Sequence, residues 1–247
     1  MTISWMVFAC VFGGALLGIF LRAVLPEHHL TGESKDVVKV GMGLIATMAA
    51  LALGLLTASA KSSYDTQRNE LTQISVKIIF LDHVLADYGP EAKGVRDLLR
   101  RTVASVLDQM WPENRSGAAQ LEPASASQRL YDTIQQLSPR NDAQRLLRTQ
   151  ALGISNDLSQ MRWLLVEQKG SSIPTAYLVV LVSWLVILFV SFGLFAPSNS
   201  TVLATLILCA LSVSGAILLI LDVDQPFGGL IRIPSAPLRD ALVRLGQ

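Results

Sequence analysis

The sequence predicts an all-α membrane protein, with four transmembrane helices and a helical cytoplasmic domain inserted between helices two and three. Three observations carry that prediction. Of 247 residues, 51% are hydrophobic and only 16% are charged, against about 25% charged in an ordinary soluble domain, and the deficit is gathered into four apolar blocks. A long polar stretch with helical periodicity separates the second block from the third. Lysine and arginine gather at one set of block ends.

The first block runs from about Ile3 to Leu25. It has no basic n-region and no A-x-A cleavage pattern, so it reads as a retained helix. Gly14 and Gly18 form a GxxxG pair, which suits close helix packing. The second block, about Val37 to Ala60, is rich in Gly and Ala. The third, about Pro174 to Phe195, and the fourth, about Val202 to Leu221, are continuous aliphatic runs. Each is near the roughly 20 residues that cross a bilayer. The expected division is 1–60 for the first two spans, 61–172 for the inserted domain, 173–222 for the last two spans and 223–247 for a C-terminal segment.

Four spans place both termini and the inserted domain on one side. That side holds Lys61, Arg68, Lys77, Arg162, Lys169, Arg232 and Arg239 near helix ends; the other holds Arg22, Lys35, Lys39 and the uncharged link APSNS. The positive-inside rule makes the first side cytoplasmic, and the expected location is a bacterial inner membrane. The expected partners are the lipid bilayer and, where extended membrane helices meet at an axis, further copies of the chain. A net charge of +1 gives no reason to expect nucleic acid. Cys10 and Cys209 lie in apolar blocks and read as buried small apolar residues rather than a disulfide or metal pair.

The inserted domain is read as helices. Leu71, Ile74, Ile78, Leu81, Leu85 and Tyr88 recur at spacings of three and four, and no Pro or Gly separates them from the second span. One helix is therefore expected to leave the membrane and end at Gly89-Pro90. A second is expected over about Glu91 to Met110, carrying Val95, Leu99, Thr102, Val103 and Val106. WPENRSGAAQLEPASAS reads as a loop, followed by a short helix near Gln128 to Leu137. The last runs from Pro139, which suits a first helical turn, to about Lys169, with Leu147, Ala151, Ile154, Leu158, Met161 and Leu165 as its seam.

The second span is the unusual one. At about 100° per residue, Thr47, Ala50, Gly54, Thr57 and Lys61 all fall near the azimuth of Gly43, a stripe of small and hydroxyl residues ending in a lysine. Leu44, Met48, Leu51 and Leu55 lie to one side of it. Two readings stand: small stripes let membrane helices pack closely, and such a stripe also lines a water path, with the leucines and Met48 as a dewetting constriction.

No span contains a carboxylate, a histidine or an internal lysine, which counts against a proton relay. P-loop, GxSxG, HExxH and CxxC motifs are missing, and no acid, base and nucleophile converge. Neither an enzyme nor a cofactor is expected. Glu27, His28, His29 and Glu33 read as solvated residues of an outer loop rather than a metal or pH site. Asp222 and Asp224 close the fourth span, where the helix dipole opposes negative charge, so they are expected to seek cations. Lys61, Arg68 and Arg232 are the candidates, with Pro226 and Phe227 in a turn between. Pro234 and Pro237 are expected to keep IPSAPL extended. Two carboxylates alone make a weak calcium site, since calcium takes six to eight oxygens, and no metal is expected.

The stretches GLIATMAALALGLLTASAKSSYD, after residue 42, and LDVDQPFGGLIRIPSAPL, after residue 220, resemble the bacterial and plant bestrophin-like family. The resemblance implies a relation to bestrophins, pentameric ion channels with four spans per subunit, cytoplasmic termini and a helical cytoplasmic part between spans two and three. It implies that small inorganic ions are partners, that the second span lines a central pore and that acids after the fourth span take part in calcium binding in animal members. Two departures stand out. The acid run is reduced to Asp222 and Asp224, and the second span has no phenylalanine for an aromatic neck. Lys61 at the inner mouth favours anions and Asp65, one turn on, favours cations, with the lean towards anions; the family contains both kinds. The alternative is a non-conducting scaffold or sensor that binds a cytoplasmic partner.

Overall fold

The computed structural model describes residues 2–25, 32–111, 123–167, 173–197, 199–224, 229 and 231–246. In chain order the helices are α1 (Thr2–Val24), α2 (Gly32–Tyr88), a 3₁₀ turn (Pro90–Ala92), α3 (Lys93–Met110), α4 (Pro123–Gln135), α5 (Asp142–Glu167), α6 (Thr175–Phe195), α7 (Ser200–Val223) and α8 (Ala236–Arg244). Four of them, α1, α2, α6 and α7, are long and apolar enough to cross a membrane. The chain divides into two compact units. One holds α1, α2 up to Ser63, α6 and α7; the other holds α2 from Tyr64, α3 to α5 and α8.

In the first unit, Val7, Val11 and Ala15 of α1 meet Leu181, Leu185 and Phe189 of α6 and Leu206, Ala210 and Ile217 of α7 in one buried cluster. Spacings of four and seven put each set on a single helix face. The α1 and α6 backbones touch. A Cβ on Gly18 would overlap the Val190 carbonyl and fall 2.9 Å from the Leu194 nitrogen, and one on Gly193 would overlap the Ala15 carbonyl. The packing expected of Gly14 and Gly18 is what the structure contains. The Arg22 guanidinium donates to the Ala196 carbonyl and joins the end of α1 to the end of α6. Asn199 caps α7, its Oδ1 accepting from the Val202 amide at 2.9 Å. Cys10 and Cys209 are free thiols, but they are exposed on this chain rather than buried as expected; each sits on the outer face of its helix.

In the second unit, Leu71, Ile78, Leu81, Leu85 and Tyr88 are buried, with Ile74 half-buried, so the α2 seam faces the core. Val95, Leu99, Val103 and Leu107 of α3, Leu130 and Ile134 of α4, Ala151 and Ile154 of α5, and Leu238, Ala241 and Leu245 of α8 complete that core. α2 is 57 residues long, far more than the roughly 20 of a crossing. It ends at Gly89, whose φ of 119° suits glycine alone, and Pro90 opens the next turn.

Three sequence-based boundaries need correction. α5 begins at Asp142, not Pro139: Asn141 Oδ1 accepts from the Gln144 amide at 2.7 Å, and Gln144 Oε1 accepts from the Arg140 amide at 2.8 Å. Reciprocal capping of this kind fixes a start more firmly than a proline. α4 begins at Pro123, inside the stretch read as loop; residues 112–122 of that stretch lie outside the described residues. IPSAPL is extended only as far as Pro234. Pro237 stands in the first turn of α8, where its missing N–H has no helical partner to lose. Leu238, Ala241 and Leu245 then give α8 a buried face.

Candidate functional site

Within the first unit, α2 carries three faces. Ala49 and Ala60 are buried, with Ala52, Leu53 and Leu56 packed beside them against the unit's own helices. Centred on the azimuth of Gly43, the small stripe lies about 110° from that packed face, and the large residues lie about 110° further round. Gly43, Thr47, Ala50, Gly54, Thr57 and Lys61 are all exposed on the chain. A Cβ added at Gly43 or Gly54 would meet nothing within 4 Å. The contrast with Gly18 and Gly193 is direct: those glycines admit a neighbouring backbone, and the α2 glycines admit none from this chain. Leu44, Met48, Leu51 and Leu55 are 64%, 43%, 69% and 72% exposed, so they too make little contact within the chain. Two thirds of the α2 circumference therefore faces lipid, solvent or another copy.

The hydroxyls on the stripe are oriented. Thr47 Oγ1 donates to the Leu44 carbonyl at 2.7 Å and Thr57 Oγ1 to the Leu53 carbonyl at 2.7 Å. Their protons are used by the helix, and oxygen lone pairs are what each offers outward. At the Lys61 end, Thr57 and Lys61 border a shallow groove with Ala216, Leu219 and Val223 of α7.

At the end of α7, Asp222 takes a backbone donor. Asp222 Oδ2 accepts from the Ile231 amide at 2.8 Å, and Gly229 lies so close that a Cβ there would fall 2.7 Å from Asp222 Cγ. A charged acceptor makes a strong bond with a backbone N–H, and the chain is drawn back to the helix end by it. Asp224 is buried, its amide donating to the Ile220 carbonyl at 3.1 Å. Sequence reasoning placed Gly229 in the PFGG turn but not against Asp222, and it missed Ile231. Arg232 is exposed, and its carbonyl accepts from the Tyr64 hydroxyl at 3.4 Å. Pro226, Phe227, Glu27, His28 and His29 lie outside the described residues, as does the Glu33 side chain. Among the described residues no group of three or more His, Cys, Asp or Glu stands together as a metal set.

Four apolar helices, of which the second runs on into a bundle of polar helices, define a multi-pass helical membrane protein. The chain belongs to the Bestrophin-like family: the Bestrophin-like domain matches residues 9–238. Among solved structures it resembles a bacterial bestrophin homologue from Klebsiella pneumoniae, with 13% identity and a TM-score of 0.67 over 96% of this chain and 99% of that one, in a mutant form. A second structure of the Klebsiella homologue gives 13% and 0.67 over 94% and 96%. Another mutant form gives 15% and 0.66 over 98% of both chains. At such identities the likeness establishes the fold. No curated protein matches the chain.

Proposed function

We propose that the chain is the subunit of an oligomeric ion channel, with the small stripe of α2 lining a central path. The observation that carries this is the stripe itself. Gly43, Thr47, Ala50, Gly54, Thr57 and Lys61 form a continuous exposed row, and a Cβ at Gly43 or Gly54 would meet nothing in the chain, in a family whose bestrophin relatives the resemblance describes as pentameric channels. Around an axis, the stripes of five copies face one another. Leu44, Met48, Leu51 and Leu55, at the flank of each stripe, narrow the path where neighbouring helices meet and supply a dewetting constriction. Lys61 at one mouth attracts anions, and that is the selectivity proposed. The outward lone pairs of Thr47 and Thr57 favour water or a cation instead, so the anion preference rests on Lys61.

In this reading the protein sits in a bacterial inner membrane with both termini and residues 61–172 in the cytoplasm. Asp222, Asp224, Pro226, Phe227 and Arg232 are the residues assigned to bias opening. It catalyses no reaction.

Flux from proteoliposomes tests the reading. Purified oligomer should pass small ions, and Thr47→Trp or Gly54→Trp should abolish the current without changing oligomer size. A well-folded oligomer that stays silent across pH, voltage and calcium would instead make the stripe a packing face between copies and the protein a scaffold.

A further inference from the structure

The second unit holds an apolar cavity of about 110 Å³ among its helices. Leu71, Ile78, Leu99, Val103 and Leu130 form much of its wall, and Arg162 of α5 lies on the same lining. Arg162 is the anomaly. Its Nε and Nη1 atoms are buried with no hydrogen-bond partner. Its guanidinium lies 5.6 Å from the centroid of the Trp163 ring, a contact that leaves those N–H donors unused. Burial pulls its pKa below the ordinary arginine value, and among the described residues no charge offsets that. The side chain is still a cation at neutral pH.

Two costs coincide here. Two guanidinium N–H groups buried without acceptors are expensive, and an apolar cavity leaves its lining short of contacts. A carboxylate offered by another protein chain would answer the first and leave the second. A neutral apolar guest would fill the space and leave the charge. One kind of occupant answers both. We propose that this cavity binds a short amphiphilic carboxylate, its alkyl chain among the leucines and its head on the Arg162 guanidinium. A cavity of about 150 Å³ accepts benzene, so this one suits a chain of about four or five carbons. Ser155, also on the lining, adds a hydroxyl for the carboxylate, while that of Ser159 donates to the Ser155 carbonyl at 3.0 Å. The site is independent of ion conduction, and binding alone reads it.

The test uses the full-length protein in nanodiscs with hexanoate as the probe, followed by calorimetric titration and thermal unfolding. Hexanoate should bind saturably and raise the unfolding temperature. Hexanol and hexylamine should not bind saturably, and acetate should bind at least about tenfold more weakly. Arg162→Gln should weaken hexanoate at least about tenfold, the loss expected for a charged hydrogen-bonded pair, and without ligand should unfold no earlier than the wild type. Val106→Phe, which fills the cavity from α3, should abolish hexanoate binding with Arg162 intact. Equal binding of hexanol and hexanoate, equal binding of acetate and hexanoate, unaltered binding by Arg162→Gln or Val106→Phe, or no saturable binding to the wild type each overturns the site. Should Arg162→Gln fail to fold, the ligand series on the wild type decides the matter alone.

Discussion

Arg96 of α3 grips Asp82 of α2 with two parallel hydrogen bonds, Nε to Oδ1 and Nη2 to Oδ2, both 2.7 Å. The Asp82 side chain is 5% exposed and that of Arg96 22%, so the pair is largely out of water. The Gly246 amide donates to the same Oδ2 at 3.1 Å, reached through a φ of 87° at Gly246 that glycine adopts without strain. One carboxylate thus joins α2, α3 and the residues just after α8. Asp82→Asn leaves the guanidinium facing a neutral amide in a buried site, and breaking a buried pair from one side costs on the order of 3–5 kcal/mol. Thermal unfolding of Asp82→Asn, Arg96→Gln and the double variant measures it. The double variant should lose clearly less than the sum of the singles; additive losses would mean the two groups are not coupled.

The glycines divide into two kinds, and substitution should separate them. Gly18→Ala and Gly193→Ala force apart backbones that touch, with an overpacking penalty of about 1–3 kcal/mol or more. Gly54→Ala adds a methyl into open space on the chain and raises helix propensity by about 1 kcal/mol. Melting temperature should fall for the first two and hold or rise for the third. A fall for Gly54→Ala with loss of oligomer would place a neighbouring copy against that face.

Asp222 holds the returning chain through the Ile231 amide. Asp222→Ala should cost about 1.5–3 kcal/mol, the worth of a hydrogen bond to a charged group, and should speed proteolysis between residues 224 and 235. Asp222→Asn keeps an oxygen acceptor and should lose less. Gly229→Ala, which drives a methyl into the Asp222 carboxylate, should resemble Asp222→Ala. Equal digestion of all four proteins would show that the bond does not hold the segment.

Orientation follows from the charge asymmetry and is checked by thiol labelling in a Cys10→Ala, Cys209→Ala background. Ser200→Cys, at the start of α7, should react with an impermeant reagent on intact cells, and Gln150→Cys, exposed on α5, should react only after lysis. The reverse pattern would put the polar helices outside.

What could be read in advance depended on whether the signal was a pattern of side chains. The four apolar blocks and the seam from Leu71 to Tyr88 are hydrophobic periodicities, and burial is what creates them, so both appear in the structure nearly as spaced in the chain. α8 was missed because Pro234 and Pro237 look like breakers, although a proline in a first turn is compatible with a helix. The partner found for Asp222 is a backbone N–H, which every residue but proline carries, so no side-chain type marks Ile231 out. The start of α5 was displaced because Pro139 drew attention from the reciprocal Asn141 and Gln144 caps. The α2 stripe was visible in composition, but its outward direction was not: Gly18 and Gly54 look alike until the neighbouring backbones are in place.

The stripe gives the most direct functional prediction. Lys61 is the basic residue at the end of the row that starts at Gly43, and Asp65 follows one turn on. If the stripe lines the path, the charge at position 61 acts on every ion that passes, through a narrow region where screening is weak. Lys61→Glu should therefore move the reversal potential in a salt gradient towards the cation value, and Lys61→Gln should land between. Thr47→Val keeps the shape while removing a lone-pair oxygen, so it should lower conductance without that shift. Met48→Ser or Leu51→Ser should raise the resting leak by wetting the constriction. Oligomer size must be unchanged in each variant for the currents to be compared. A reversal potential indifferent to the charge at position 61, with the Thr47 and Gly54 tryptophan variants still conducting, would remove α2 from the path and leave its stripe as a surface between copies.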